Sequence, residues 1–242
     1  SHAELDLEDY SATLNYIRSE QPKYVIIAAA KVGGIYANNT YPVDFLMSNL
    51  AVEMNVIRAS YEVGVKRLIF LGSSCIYPKH VPQPIIESAL LTSELEPTNR
   101  PYALAKIAGI EMCWSYNRQY QTQYLAAMPT NLYGIGDNYH TENSHVLPAL
   151  IRKIHEAKKY EQKKVTLWGT GKPRREFLYS DDLAHALIHM LELNNEKFAK
   201  LIDPEQCPLI NIGCGEDVTI VELASIIAEV IGYEGDFDFD LS

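Results

Sequence analysis

Short, continuously apolar runs alternate with longer amphipathic segments along most of this 242-residue chain. A short apolar run predicts a strand buried on both faces, and a longer run with apolar residues on one helical face predicts a helix. The predicted strands are residues 24–30, 66–72, 124–128, 165–169 and 209–213. The predicted helices are residues 42–64, 101–120, 146–159, 181–193 and 219–232. This alternation is typical of an α/β protein with a doubly wound parallel sheet, covered by helices on both faces.

Three loops rich in small and polar residues come directly after predicted strands. They contain the sequences AAAKVGG at 28–34, LGSSCIY at 71–77 and MPTNLYG at 128–134. In parallel sheets, ligands bind beyond the carboxyl ends of the strands, which meet at the same edge. We therefore expect these three loops to line one crevice.

Composition and charge exclude several classes of function. The chain has a formal net charge of −10, which argues against a general binder of nucleic acids or membrane surfaces. No apolar run approaches the roughly 18 residues that a membrane span requires. The cysteines show neither a CxxC pair nor the spacing of a zinc site, so we expect no metal and a reducing, cytoplasmic location. They are Cys75, Cys113, Cys207 and Cys214.

A tyrosine and a lysine stand four residues apart near the start of the predicted helix 101–120. Tyr102 and Lys106 therefore share one helical face, and a neighbouring ammonium group lowers the pKa of a phenol by favouring its ionised form. The pair could act as a general acid or base, although a YxxxK pattern alone also fits a surface tyrosine above a solvated lysine. Ser73 and Ser74 end the preceding strand, where a hydroxyl could hold the oxygen whose proton the tyrosine handles.

The order of these motifs resembles the extended, nucleotide-sugar-modifying branch of the short-chain dehydrogenase/reductase superfamily. The shared features are the serine turn GSSCIYP, the helix start PYALAK and the strand end MPTNLYG. Longer stretches are similar, more narrowly, to the GDP-L-fucose synthase family. These stretches are residues 28–42, 72–79, 96–110, 115–120, 128–134, 137–150 and 175–182.

The resemblance implies a Rossmann-type fold, NADP(H) as the cofactor and GDP-4-keto-6-deoxy-D-mannose as the substrate. It implies a bifunctional 3,5-epimerase and NADPH-dependent 4-reductase whose product is GDP-L-fucose. Tyr102 would protonate O4, Lys106 would lower the pKa of that tyrosine, and Ser73 would hold O4. Cys75 and His145 would exchange protons at C3 and C5. From the residues alone, a buried thiol is the favoured interpretation of Cys75, and His145 could simply cap the helix that follows it.

The resemblance also implies binding residues, two regions and an assembly. The expected cofactor-binding residues are Asp6, Leu7, Ala29, Leu71, Gly72, Ser73, Ser74, Tyr102, Lys106, Pro129, Thr130, Asn131, Leu132 and His145. The expected substrate-binding residues are Lys153, Trp168 and Arg175, although an arginine is common in the family at position 153. We expect residues 1–134 to form an NADP-binding domain. Residues 135–242 would form mainly a substrate-binding region, with segments that return to the first domain. The long helices 42–64 and 101–120 imply a homodimer, because such helices form a four-helix contact in the superfamily.

The resemblance breaks at both ends of the chain. The family's first strand–helix unit, with its glycine-rich turn, and its C-terminal end have no counterpart in this sequence. Two alternatives stay open: another extended reductase of nucleotide sugars, such as a 4-epimerase or a 4,6-dehydratase, and a non-catalytic cofactor-binding relative. Against them, dehydratases usually carry acidic residues where this chain has Cys75, and non-catalytic relatives typically lose Tyr102 or Lys106.

Overall fold

A computed structural model describes residues 4–141 and 144–241 of the chain. The helices are α1 (Tyr10–Glu20), α2 (Ile35–Thr40), α3 (Pro42–Val63), α4 (Arg100–Tyr120), α5 (Val146–Lys159), α6 (Ser180–Glu192), α7 (Asn195–Ala199) and α8 (Ile220–Ile231). The strands are β1 (Tyr24–Ile27), β2 (Arg67–Leu71), β3 (Tyr124–Pro129), β4 (Asn131–Tyr133), β5 (Lys164–Trp168), β6 (Arg174–Tyr179), β7 (Leu209–Ile212), β8 (Asp217–Thr219) and β9 (Asp236–Asp240). Two single 3-10 turns lie at Ser74–Ile76 and Glu87–Ala89.

The chain divides into two compact units. The first consists of Ser1–Thr130 with Asp182–Ile212, and the second of Asn131–Asp181 with Gly213–Ser242. The assignment of cofactor binding to residues 1–134 and of substrate binding mainly to 135–242 stays a prediction.

The first unit contains a parallel sheet in the strand order β1-β2-β3-β7. In register, Ile27 lies beside Phe70, and Phe70 lies beside Ala126. Every residue of β3 is buried, as is every residue of β2 up to Phe70, because helices cover the sheet. The predicted α/β fold with a parallel sheet is confirmed.

Two long helices, α3 and α4, pack against each other beside this sheet. Proline stands in the first turn of each, where its missing N–H costs no helical hydrogen bond. Helix α3 ends at Gly64, whose φ of 81° is in the left-handed region that glycine adopts without strain. The two helices present Ile57 and Ile110 to the core of the unit, and both side chains are almost completely buried.

One buried charge ties the end of α6 to β2 within the first unit. Arg67 is 2% exposed, and its Nη1 donates to the carbonyl oxygens of Leu191 and Leu193 at 2.6 Å. The guanidinium carbon also lies 4.2 Å from the ring centre of Phe198. Paired in this way, the guanidinium avoids the large cost of an unsatisfied buried charge.

The second unit has its own core. Strands β4, β6 and β8 form one small sheet, and β5 pairs in parallel with β9. Helices α5 and α8 bury Ile154 and Ala224 against Leu167 of β5. Helix α8 begins with a capping box, in which Thr219 and Glu222 satisfy each other's backbone N–H groups.

The predicted elements are found, with differences at their ends. Helix α5 has the predicted bounds, whereas β1 ends at Ile27, three residues before the predicted end. Helices α1, α2 and α7 and strands β4, β6, β8 and β9 were not predicted. Within the described ranges 4–141 and 144–241, none of the helices is both long enough and apolar enough to cross a bilayer.

Candidate active site

The candidate site lies at the edge of the sheet in the first unit where β1, β2 and β3 end. These strands run parallel, so their carboxyl ends meet at one edge, and residues 28–34 and 72–77 and Thr130 follow directly from them. The predicted convergence of polar loops is therefore present in the part of the chain that belongs to this unit.

The serine turn leaves the sheet through Gly72. The Gly72 N–H still donates to the carbonyl oxygen of Ala127 at 2.8 Å, as the last bond of the sheet ladder. The chain then makes a 3-10 turn at Ser74–Ile76, and the buried Ile76 and Tyr77 anchor that turn. The Tyr77 hydroxyl donates to Oδ1 of Asn211 at 2.5 Å, which fixes the turn to β7.

The phenol of Tyr102 reaches this turn from the start of α4. Its ring contacts Phe45 of α3 edge-on, at 6.2 Å between ring centres. Burial raises the pKa of Tyr102, the nearby Cys75 raises it further, and hydrogen bonding by the Ser73 hydroxyl partly offsets the shift. The structure therefore places Tyr102, Ser73 and Cys75 together, as the sequence predicted.

Cys75 faces the same group of side chains. Burial raises the pKa of its thiol, while Ser73 and the positive charge of Lys106 lower it. The two side chains that oppose the effect of burial, Ser73 and Lys106, both belong to the predicted site. The thiol is thus not an isolated core cysteine but a member of the cluster around Tyr102.

Lys106 differs from the prediction in its charge partner. Its Nζ lies 3.1 Å from Oε1 of Glu53, and the two side chains are 2% and 1% exposed. The same Nζ lies 4.6 Å from the ring centre of Phe70 and 5.9 Å from that of Tyr102. We predicted that Lys106 lowers the pKa of Tyr102, but in the structure that pKa is raised. Burial dominates, and the negative charge of Glu53 acts against the ammonium group.

Sequence reasoning missed Glu53, although a signal was present. The side chains of α3 that are buried follow one helical stripe, which includes Phe45, Asn49, Glu53, Val56 and Ser60. A glutamate on such a stripe needs a buried partner, because an unpaired buried charge is costly. In the structure that partner is Lys106, on the helix packed against α3.

The residues predicted to bind the cofactor fall into both units. In the first unit, Leu7 packs on the core, Asp6 and Ala29 are exposed, and the rest surround the ends of β2 and β3. Thr130 carries a buried Oγ1 with no hydrogen-bond partner among the described residues, and such an atom fits a polar group of a ligand. Asn131 and Leu132 are exposed residues of β4, in the second unit.

The residues predicted to bind the substrate lie in the second unit. Nζ of Lys153 stands 4.9 Å from the ring centre of Trp168, and the indole is 76% exposed. Arg175 is exposed on β6, where its Nη1 donates to the carbonyl oxygen of Arg174 at 2.7 Å. The structure thus brings Lys153 and Trp168 together.

His145 is the residue before α5 and is exposed. It occupies the N-cap position, but its side chain makes no capping hydrogen bond within the part of the chain that the structure describes. Its predicted pairing with Cys75 stays a prediction. Of the adjoining motif at 143–145, Asn143 lies outside the described residues.

Comparison with known proteins assigns the chain to a family. The profile of the NAD dependent epimerase/dehydratase family matches residues 1–203. GDP-L-fucose synthase 1 of Arabidopsis thaliana is 55% identical over 240 residues, which are 99% of this chain and 71% of that protein. GDP-L-fucose synthase of Escherichia coli K12 is 54% identical, over 99% of this chain and 74% of that protein.

The chain belongs to the GDP-L-fucose synthase family. A solved structure of a GDP-L-fucose synthetase from Naegleria fowleri bound to NADP superimposes with a TM-score of 0.84 at 30% identity, over 99% of this chain and 71% of that one. The predicted membership of the extended short-chain reductases is therefore confirmed, and so is the Rossmann-type fold of this GDP-L-fucose synthase relative.

Proposed function

We propose that this protein converts GDP-4-keto-6-deoxy-D-mannose to GDP-L-fucose, by epimerising C3 and C5 and by reducing C4 with NADPH. The observation that carries the proposal is the cluster of Tyr102, Ser73 and Cys75 at the carboxyl edge of a parallel sheet. This cluster lies in a chain that is more than half identical to two named GDP-L-fucose synthases. A C4 ketone makes the protons at C3 and C5 acidic, and inversion of these centres needs groups that remove and return them.

Tyr102 is the proposed proton donor to O4. Its raised pKa keeps the phenol protonated at neutral pH, which suits a group that must give a proton to the developing alkoxide. Ser73, whose hydroxyl is close enough to the phenol to lower its pKa, would hold O4 beside it. Lys106 would stabilise the phenolate that remains, because a positive charge within a few ångströms favours the ionised form.

Cys75 and His145 are the proposed acid and base for the two epimerisations. The thiol lies close enough to Tyr102 to change the pKa of the phenol, so both groups can act on one sugar ring. A thiol and an imidazole can each give and take a proton, and burial raises the pKa of the Cys75 thiol above the reference value of about 8.5. Each centre would lose its proton on one face and regain one on the other.

The cofactor of this family is NADP(H), as predicted, and the solved relative from Naegleria fowleri is described as bound to NADP. When bound, it supplies the hydride that is transferred to C4. The residues proposed to hold it include Gly72, Ser73 and Thr130 at the strand ends. The buried, unpartnered Oγ1 of Thr130 supports that assignment.

The GDP-sugar itself is proposed to bind through the second unit. Its diphosphate carries negative charge, and Lys153 and Arg175 are cations that could bind it. Burial lowers the pKa of Lys153, and the neighbouring Arg152 lowers it further. A bound anion beside Lys153 would favour the charged form of its ammonium group. The exposed indole of Trp168, next to Lys153, offers a flat apolar surface for the ligand.

A homodimer is proposed through α3 and α4. Met47, Met54 and Tyr61 stand seven residues apart along α3 and are all more than one-third exposed. On α4, Leu104 and Tyr120 are exposed too, and Tyr120 stacks on Tyr61 at 4.4 Å between ring centres. A second copy of the same helix pair would bury this apolar stripe. Sedimentation of the protein should give the dimer mass, and Met54→Lys should shift it toward the monomer.

A cytoplasmic location is also proposed. The four cysteines are all free, and disulfides are the usual state of paired cysteines in oxidising compartments. NADPH-dependent reduction fits a reducing compartment as well.

Product analysis in deuterated water tests the proposed function. The purified enzyme, given NADPH and GDP-4-keto-6-deoxy-D-mannose, should release GDP-L-fucose with deuterium at C3 and C5. Tyr102→Phe should abolish reduction, because the proton donor to O4 is lost. A 4-reduced product without inversion, or no oxidation of NADPH, would refute the proposal.

A further inference from the structure

Glu53 is a buried carboxyl group for which the mechanism above has no role. Its side chain is 1% exposed on α3, and its Oε2 has no hydrogen-bond partner among the described residues. Placing a carboxylate in the interior costs several kcal/mol unless a close partner compensates it. A glutamate in such a position therefore requires an explanation.

The surroundings of Glu53 show that the space for its carboxyl group is shaped by α4. A Cβ at Gly109 would lie 2.9 Å from Oε2 of Glu53 and 2.4 Å from Cζ of Phe70. The absence of a side chain at Gly109 thus lets the carboxyl group and the Phe70 ring approach α4 together. Phe70 in turn lies under the ammonium group of Lys106, at 4.6 Å.

We propose that Glu53 is a positioning residue that holds the ammonium group of Lys106 beside Tyr102 and balances its charge. The inference rests on the proposed function, since it concerns how Lys106 serves the phenol. Lysine has a flexible four-carbon side chain, and a buried ion pair restricts it to one orientation. The pair at 3.1 Å joins two helices, so the position of Lys106 depends on α3 as well as on its own helix.

Glu53 also acts on the groups around it by its charge. The titratable groups near the pair are Tyr102 and Cys113 on α4 and Cys75 in the serine turn, besides Lys106 itself. The charge of Glu53 raises the pKa of both Tyr102 and Cys113. When Glu53 is ionised, its charge therefore adds to the effect of burial and helps Tyr102 to keep the proton that it must donate.

The pH profile of 4-reduction provides the first test. In Glu53→Gln the shape is retained and the charge is lost, so the pKa of Tyr102 should fall. The alkaline limb of kcat should then shift to lower pH by about one unit, the size of effect that a close charge produces. Glu62→Gln makes the same exchange at an exposed position of α3 and should leave the limb unchanged.

A second measurement does not depend on activity. In protein labelled with 15N-lysine, the resonance of the buried Lys106 ammonium group is assigned by its loss in Lys106→Met. In Glu53→Gln this resonance should move or disappear through faster exchange, whereas in Glu62→Gln it should stay in place. An unchanged Lys106 resonance in Glu53→Gln would overturn the inference, whatever the enzyme proves to catalyse.

Glu53→Asp keeps the proposal testable even if the glutamine variant does not fold. The shorter side chain retains the charge but draws the carboxyl group back from Lys106. We expect kcat to fall at least tenfold, with the KM for both substrates within twofold of the wild type and the alkaline limb in place. A normal kcat in Glu53→Asp would overturn the positioning role. An inactive wild-type enzyme would instead refute the proposed function.

Discussion

Lys106 and Glu53 form an ion pair in which Nζ lies 3.1 Å from Oε1 and both side chains are at least 98% buried. This pair changes the expected electrostatics of the site. A lysine four residues after a tyrosine suggests a lowered phenol pKa, but here burial raises the pKa of Tyr102, and the charges of Cys75 and Glu53 raise it further. The phenol of Tyr102 therefore keeps its proton, which is the state that reduction of a ketone requires.

The buried carboxyl group should make stability depend on pH. Burial raises the pKa of Glu53 from 4.5 to about 7, so the folded protein binds this proton more tightly than the unfolded chain. The stabilisation of the folded protein that comes from this proton is complete below pH 4.5 and is lost as the pH rises toward 7. It amounts to about 3 kcal/mol at most. Urea unfolding of Glu53→Gln and wild type should show the variant gaining relative stability over that range. If the difference in the free energy of unfolding between Glu53→Gln and wild type were constant from pH 4.5 to 7, the raised pKa of Glu53 would be wrong.

Gly109 should tolerate no larger residue. In Gly109→Ala the new Cβ would lie 2.4 Å from Phe70, so α4 or the ring has to move. We expect a loss of about 1–3 kcal/mol in the free energy of unfolding, typical of an overpacked core. Gly72→Ala is the control for stability, because its Cβ would have no neighbour closer than 3.7 Å. Equal stability of Gly109→Ala and Gly72→Ala would show that Phe70 leaves room for a methyl group at position 109.

Trp168 should affect the binding of the sugar nucleotide and not of the cofactor. Trp168→Ala removes the ring that lies 4.9 Å from Lys153, so the KM for the GDP-sugar should rise about tenfold while the KM for NADPH stays constant. Steady-state kinetics with each substrate varied in turn gives both constants. Tyr160→Ala is a matched control, since Lys159 stands 5.3 Å from that exposed ring. Equal changes in Trp168→Ala and Tyr160→Ala would remove Trp168 from the binding site.

The sequence predicted the main sheet correctly and also the proximity of Tyr102, Ser73 and Cys75, for physical reasons, while the catalytic roles of these residues stay predictions. A continuous apolar run such as 68–71 predicts a strand that is covered on both faces of a parallel sheet, and β2 is such a strand. The end of β1 was less clear, because Ala28 and Ala29 are apolar yet exposed beyond the last paired residue.

Some elements that were not predicted show local sequence patterns that are typical of their structure. Asp9 caps α1 by accepting from the N–H of Ala12, which is a local start signal for a helix. The alternating DFDFD of β9 is typical of a strand with one covered face, and it pairs with β5. Helix α7 has only five residues, which is too short for a helical pattern to stand out in the sequence.

The partner of Lys106 could not be read from local sequence at all. Glu53 and Lys106 are 53 residues apart, and only the packing of α3 on α4 brings them together. Helical periodicity places Glu53 on the buried stripe, but it does not say which opposite charge faces it. That information belongs to the tertiary structure.

Solvent deuterium exchange in Cys75→Ser tests the central claim most directly, which is that the thiol and the phenol act on one sugar ketone. With GDP-4-keto-6-deoxy-D-mannose in deuterated water, we expect incorporation at C3 and C5 to fall at least about 100-fold, the typical contribution of a positioned acid or base. Reduction of an already epimerised ketone by NADPH should continue, and Cys214→Ser, at an exposed cysteine, should behave like the wild type. Wild-type exchange rates in Cys75→Ser would contradict the account.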